Sequence, residues 1–145
     1  MLTIRTSIPS DGSRVVQIWR SAVDATHDFL TAQDRLSIEG EVSAFLPSAP
    51  LWLAVDARDY ATGFMLLSGS HMEALFVDHV YRGKGVGRTL VGYAISLHTT
   101  ITTDVNEQNV QAVSFYNHLG FRRIGRSELD GQGRPYPLLH LRSTP

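Results

Sequence analysis

The sequence predicts an α+β domain of seven strands and four helices, and three observations carry that prediction. Short apolar runs, several of them alternating or β-branched, recur between clusters of turn-forming residues. Other stretches place apolar residues at i, i+3, i+4 and i+7, the period of a helix with one buried face. Taken in order, the elements read strand, two helices, three strands, helix, strand, helix, two strands.

Leu2 to Thr6 alternates and reads as the first strand. Pro9 and Ser10 announce a helix, with Asp11 in the first turn where the helix dipole favours negative charge. Val15, Ile18, Trp19, Ala22 and Val23 form its apolar stripe. A second helix starts at Thr31, with Thr31 and Asp34 resembling a capping box. Its expected apolar face is Ile38, Val42, Phe45 and Leu46; Gly40 weakens it, and Pro47 and Pro50 close it. Leu51 to Val55 and Gly63 to Leu67 read as antiparallel partners around a polar turn, Asp56 to Thr62. His71 to Val77 is the next strand, followed by a helix from about Gly85 to Leu97. Ile101 to Val105 is a strand, and another helix begins near Asn109. Phe121 to Ser127 and Tyr136 to Leu141 flank Asp130-Gly131-Gln132-Gly133, a stretch suited to a hairpin turn.

With 145 residues, 43% of them apolar and 19% charged, the chain is one globular domain over residues 1–145, able to bury about two-thirds of its unfolded surface. A formal charge of −1 gives no basic field of the kind that attracts nucleic acid. The absence of cysteine excludes disulfides, cysteine-based zinc sites and thiol catalysis, and no metal site is expected. No basic-then-apolar leader and no apolar run near about 18 residues are present, so the expected compartment is the cytoplasm, with no membrane partner.

The chemistry concentrates at Val77-Asp78-His79-Val80-Tyr81-Arg82-Gly83-Lys84-Gly85-Val86-Gly87-Arg88. A strand ends there, three glycines follow at alternate positions, and a helix begins. Glycine lets the backbone approach a ligand and adopt positive φ, and first-turn N–H groups lack intrahelical partners. Together with Arg82, Lys84 and Arg88 they form an anion site suited to phosphate. The Walker pattern fails because no glycine pair is followed by lysine and a hydroxyl residue. The dinucleotide fingerprint fails because Arg88 stands where its third glycine belongs; Asp104, near the ribose-binding position, is then coincidental. R/Q-x-x-G-x-G/A is matched by Arg82-Gly83-Lys84-Gly85-Val86-Gly87. Downstream, Asn109 to Phe121 matches N-x-x-A-x-x-F-Y-x-x-x-G-F, with Ala112, Phe115, Tyr116 and Leu119 on one helical stripe and Gly120 as the helix-ending glycine. Phe115 reads as core, and Tyr116, whose hydroxyl needs a partner, as the functional member of the pair.

These two ordered motifs resemble those of the GNAT superfamily of acetyl-CoA-dependent N-acetyltransferases, and the resemblance covers nearly the whole chain. It implies an α/β/α sandwich-like fold with a mixed, mostly antiparallel sheet splayed at an acetyl-CoA cleft. It further implies that the main chain of Leu75, Phe76 and Val77 binds pantetheine as an added strand, and that amides from Arg82 through Gly83, Lys84, Gly85, Val86 and Gly87 to Arg88 hold the pyrophosphate. Asn109 would contact the cofactor or brace the loop. Thr26 to Leu30, Asn106 to Asn109 and Pro135 to Leu139 are similar to a bacterial set of uncharacterised acetyltransferases, the YjaB-like group.

Acetyl transfer to a primary amine by direct attack in a ternary complex needs a neutral nucleophile, a polarised carbonyl and a protonated leaving thiolate. The resemblance gives Tyr116 the role of acid, and a backbone N–H around Val77 would polarise the carbonyl. His71 and Glu73 lie two apart on one strand and share a face with Leu75 and Val77. Histidine suits a base at neutral pH and is placed ahead of Glu73; deprotonation in bulk water is the alternative. In the family the acceptor site is built by the loop between the first two helices and by the last hairpin. Here these contribute Asp24, Thr26, His27, Asp28, Phe29 and Tyr136, with Asn106 at a strand end. Asp24 and Asp28 would hold a cationic amine, although Asp28 also reads as a turn residue. The partners expected are acetyl-CoA and an amine, small or peptidic, for a monomer or homodimer. Two other readings stay open: a non-catalytic acyl-CoA-binding module, and a nucleotide-binding oxidoreductase.

Overall fold

The third strand of the sheet, β3 (Ala61–Ser68), is buried over most of its length, because it carries helices on both sides. A computed structural model describes all 145 residues. The remaining strands are β1 (Thr3–Thr6), β2 (Trp52–Val55), β4 (His71–Val77), β5 (Thr102–Asn106), β6 (Arg122–Ser127) and β7 (Leu138–Arg142). The helices are α1 (Gly12–Thr26), α2 (Ala32–Phe45), α3 (Val86–His98) and α4 (Val110–His118). They form the predicted seven-stranded mixed sheet with four helices, in the order β1-β2-β3-β4-β5-β7-β6. The chain divides into two compact units, residues 1–66 with 74–93 and residues 67–73 with 94–145.

In the first unit β1 pairs antiparallel with β2, and β2 with β3 across a bulge at Ala54/Val55. Val15, Ile18, Trp19 and Val23 of α1 pack with Leu53, Val55 and Phe64. One residue earlier on β3, Gly63 faces the opposite way: a Cβ there would stand 2.7 Å from Val86 Cγ1 and 3.0 Å from the Phe76 carbonyl. α1 and α3 therefore cover opposite faces of β3, the predicted helix–sheet–helix layering. Val86, Leu90 and Val91 of α3 are buried.

α2 departs from its predicted amphipathic face. Its N-cap is as expected, with Thr31 Oγ1 accepting the Asp34 N–H at 3.1 Å. No residue of the helix is fully buried: Ile38 and Val42 only partly cover the core, and Phe45, expected to face inward, is 54% exposed. Leu46 enters the core from the 3-10 turn after the helix, where Pro47 has ended the α-helical geometry.

In the second unit β4 pairs with β5 in parallel at His71↔Thr102 and Met72↔Thr103, the first two residues of each strand. β5 pairs antiparallel with β7, and β7 with β6 across a bulge at Arg123/Gly125. Its core is built from Met72, Ile101, Val105, Tyr116, Phe121, Leu139 and Leu141. Gly120, at φ +86°, ends α4 as predicted. β1, β2, β5 and β6 start one residue later than the pattern implied, and two strands are shifted by two residues. β3 begins at Ala61, because Asp56 Oδ1 accepts the N–H groups of both Arg58 and Tyr60 and closes the turn early. β7 begins at Leu138, because Pro135 and Pro137 flank Tyr136 and cannot donate to a ladder.

Two glycines make opposite demands. Gly63→Ala should destabilise by about 1–3 kcal/mol, as overpacking does, because one of the three atoms it meets is backbone. Gly40→Ala, in an exposed helix with nothing within 4 Å, should stabilise by up to about 1 kcal/mol. Urea unfolding of both variants checks the pair, and a Gly63→Ala protein as stable as the parent would contradict the packing described.

Candidate active site

The glycine-rich stretch is built in two steps after β4. Asp78 caps a short 3-10 turn, His79–Tyr81, with its side chain accepting the Val80 N–H at 3.1 Å. Arg82 is extended, and Gly83 and Gly85 follow at φ +78° and +81°, a region that side-chain-bearing residues rarely adopt. A Cβ at either glycine would meet nothing within 4 Å, so their conformation, and not crowding by the protein, requires glycine. α3 starts one residue later than predicted, at Val86, which places Gly87 and Arg88 in its first turn. The first N–H to return into the helix is that of Thr89, to the Gly85 carbonyl at 2.9 Å. The side chains of Arg82, Lys84 and Arg88 are exposed. Unfilled space over two glycines, a helix N-terminus and three cations fit a diphosphate.

Arg14 and Ser21 of α1 reach this stretch, and nothing in their sequence context marks them out. Arg14 Nη2 lies 2.6 Å from Asp78 Oδ2, and Ser21 Oγ donates to Asp78 Oδ1 at 2.8 Å. Burial alone would raise the Asp78 carboxyl; the Arg14 guanidinium, the Ser21 hydroxyl and the Val80 N–H outweigh it and hold the group below the usual carboxylate range.

Tyr116 is 5% exposed, whereas Phe115, read as the core member of the pair, is only half-buried. The Tyr116 ring meets Phe115 and Phe121 edge-on at 5.1 and 5.0 Å. Its hydroxyl is hydrogen-bonded to Thr103, whose own proton goes to the Met72 carbonyl at 2.9 Å, leaving the threonine oxygen to accept the phenol. Burial pushes the phenol well above its ordinary range, so it stays protonated. Asn109 caps α4, its side-chain oxygen accepting the Ala112 N–H at 3.2 Å.

His71 engages both ring nitrogens: Nδ1 lies 2.7 Å from Thr102 Oγ1 and Nε2 3.6 Å from Asp104 Oδ2. The same carboxylate meets His140 Nδ1 at 2.6 Å, and His140 Nε2 meets Ser127 Oγ at 2.6 Å. Thr102 and Thr103 are consecutive strand residues, so His71 and Tyr116 bond to side chains on opposite faces of β5. Glu73 is exposed.

The expected acceptor residues are divided between the units, with Asp24, His27, Asp28 and Phe29 in the first and Asn106 and Tyr136 in the second. Asp24 is held bidentately by Arg35, at 2.8 and 3.2 Å, with its side chain 62% exposed. Asp28 is exposed in the turn closed by the Leu30 N–H on the His27 carbonyl at 3.2 Å, the turn role it was also given. His27 is half-buried, with Nδ1 2.7 Å from Thr26 Oγ1 and its ring 5.2 Å from that of Phe29. In the second unit the Asn106 carbonyl accepts the Asn109 N–H at 3.0 Å, and Tyr136 is buried at 6% exposure.

Burial lowers the His27 imidazole from 6.5 to about 4, against the opposing charge of Asp28. The folded state thus disfavours the charged ring. The stability is fully present above pH 6.5 and is lost as pH falls towards 4, by at most about 3 kcal/mol. His27→Gln should flatten that part of the stability–pH curve, which denaturant titrations between pH 4 and 7 measure; an unchanged slope would assign it to other groups.

Known proteins agree with this architecture. The acetyltransferase (GNAT) domain family matches residues 25–135. The chain is 56% identical over 141 residues to the peptidyl-lysine N-acetyltransferase YjaB of Escherichia coli K12, covering 97% of this chain and 96% of that one. It is 54% identical over 141 residues to the enzyme of the same name from Salmonella typhimurium, covering 97% of each. The solution structure of apo-form YjaB from Escherichia coli superimposes with a TM-score of 0.96 at 55% identity, over 99% of this chain and 98% of that one. With motifs, sheet order and relatives in agreement, the chain belongs to the GNAT family and is an acyltransferase of the N-acetyltransferase type.

Proposed function

We propose that the chain transfers an acetyl group from acetyl-CoA to the side-chain amine of a lysine in a peptide or protein, by direct attack with both substrates bound. The choice of acceptor rests on its similarity to relatives named peptidyl-lysine N-acetyltransferases. The observation that carries the cofactor half is the turn at Gly83 and Gly85, with positive φ and open space ahead of the α3 N-terminus.

When bound, acetyl-CoA supplies the activated acetyl thioester. Amides from Arg82 to Arg88 hold its diphosphate, and the exposed side chains of Arg82, Lys84 and Arg88 add charge. The main chain of Leu75, Phe76 and Val77, beyond the two paired residues of β4, binds the pantetheine amides by strand addition, and an N–H near Val77 polarises the acetyl carbonyl. Asn109 braces the start of α4, which carries Tyr116. Tyr116, kept protonated by burial, gives its proton to the leaving sulfur once its hydroxyl turns from Thr103. His71 takes the proton from the amine at Nδ1 once Thr102 gives up that position, with Asp104 then beside the charged ring. Glu73 is the other group on β4 able to act as base. The cytoplasm is the proposed compartment.

Acetyl-CoA at 100 times its Kd should add about 2.7 kcal/mol to stability. Gly85→Asp, which puts a side chain and a negative charge at a φ of +81°, should abolish that gain; an equal gain in the variant would refute the loop assignment. An acetyl-CoA consumption screen across lysine peptides, polyamines, amino acids and aminoglycosides tests the acceptor, with lysine peptides expected to turn over fastest.

For the acid, Tyr116→Phe should lower kcat by about 10²- to 10⁴-fold while leaving cofactor affinity intact. For the base, kcat/KM should rise with pH, and His71→Ala should remove that limb while Glu73→Gln alters it less. The reverse ranking would give the role to Glu73, and indifference to both would place deprotonation in solvent.

A further inference from the structure

The loop proposed to hold the diphosphate contains two glycines at positive φ, the residue type that loses most freedom on ordering. Arg82 to Gly85 can be set in advance only if both ends are fixed. The C-terminal end is fixed by α3, whose first residue, Val86, is 1% exposed. The N-terminal end is fixed by Asp78. Its N–H bonds the Thr62 carbonyl of β3 at 2.9 Å, and its carbonyl accepts the Tyr81 N–H at 2.9 Å. Both carboxylate oxygens are occupied: Oδ2 by Arg14, Oδ1 by the Ser21 hydroxyl and the Val80 N–H.

The donors are themselves held. Arg14 Nε donates to the Ala61 carbonyl at 3.0 Å, and its guanidinium lies 4.2 Å above the Tyr60 ring. The Tyr60 ring is in turn 6.4 Å from that of Tyr81, inside the 3-10 turn. Ser21 Oγ accepts the His79 N–H at 3.0 Å while donating to Asp78, so one hydroxyl ties two consecutive residues ahead of the loop. Arg14 and Ser21 are two helical turns apart on α1 and reach the same carboxylate.

We propose that Asp78, clasped by Arg14 and Ser21, is a positioning residue that sets the glycine-rich loop for the diphosphate of the cofactor. The inference rests on the reading of that loop as the diphosphate site. Breaking the clasp releases the entry to the loop while leaving its amides, its cations and α3 in place. The effect therefore falls on the phosphates and not on the pantetheine arm.

The experiment compares the Kd of CoA with that of pantetheine, which carries the same arm without the diphosphate, by calorimetry. In Asp78→Asn, CoA should bind more weakly by on the order of ten- to a hundredfold, the scale of loss from misplacing a preset group, with pantetheine unchanged. Arg14→Gln should act in the same direction, and Arg14→Lys should restore part of the affinity. Ser21→Ala keeps the ion pair and should show a smaller loss of the same kind, which carries the test if Asp78→Asn does not fold. Undiminished preference for CoA in the variants, or equal loss of both ligands, overturns the proposal. A parent protein that binds CoA no better than pantetheine refutes the diphosphate site itself, and the proposal with it.

Discussion

The close approach of α3 to β3 at Gly63 is the constraint on which the rest of the first unit depends. With no Cβ at Gly63, Val86 settles against the strand, and the helix N-terminus is fixed at its first residue. A helix held there determines where its unpaired N–H groups point. The backbone between β4 and that helix turns through Gly83 and Gly85 at positive φ. The packing at Gly63 thus fixes one end of the loop whose conformation these two glycines set.

Charge is distributed in a matching way. Several acids are bound by arginine: Asp11 by Arg5, Asp24 and Glu39 by Arg35, Asp78 by Arg14, and Glu107 by Arg126. Lys84 and Arg88, by contrast, are exposed beside a helix N-terminus whose partial charge is also positive. That concentration of like charge costs stability in the free protein and is relieved by an anion. A different arrangement links Asp104 to both His71 and His140, so one carboxylate joins side chains of β4, β5 and β7.

Much of this was legible in the sequence because it depends on local rules. Element order followed from periodicity, the end of α4 from Gly120, the cap of α2 from Thr31, and the turn ahead of α3 from the glycine spacing. The failures have a common cause. Asp24 reads as a lone carboxylate, because spacing does not show its Arg35 partner on another helix. Phe45 reads as core because its spacing is right, yet the helix lies too high on the core to bury it. Phe115 reads as the core member of its pair, yet the fold buries Tyr116 more deeply, against Thr103. Arg14 and Ser21 carried no signal at all: their partner is more than fifty residues away, and a polar residue flanking an apolar stripe looks like ordinary helix surface. Long-range polar contacts were the part that spacing does not encode.

The path of the chain through the two units has a consequence for biosynthesis. The β3–β4 hairpin leaves the first unit at Leu67 and returns at Ala74, so its tip belongs to a unit completed only by residues 94–145. His71 and Met72 find their strand partners at Thr102 and Thr103, about thirty residues later, which a ribosome adding roughly 5–20 residues per second delivers after a few seconds. During that interval the nascent chain presents a β4 edge with unsatisfied main-chain groups, an invitation to pair with a neighbouring chain. The exposed Glu73 on that strand is the kind of charged residue that blunts such an edge.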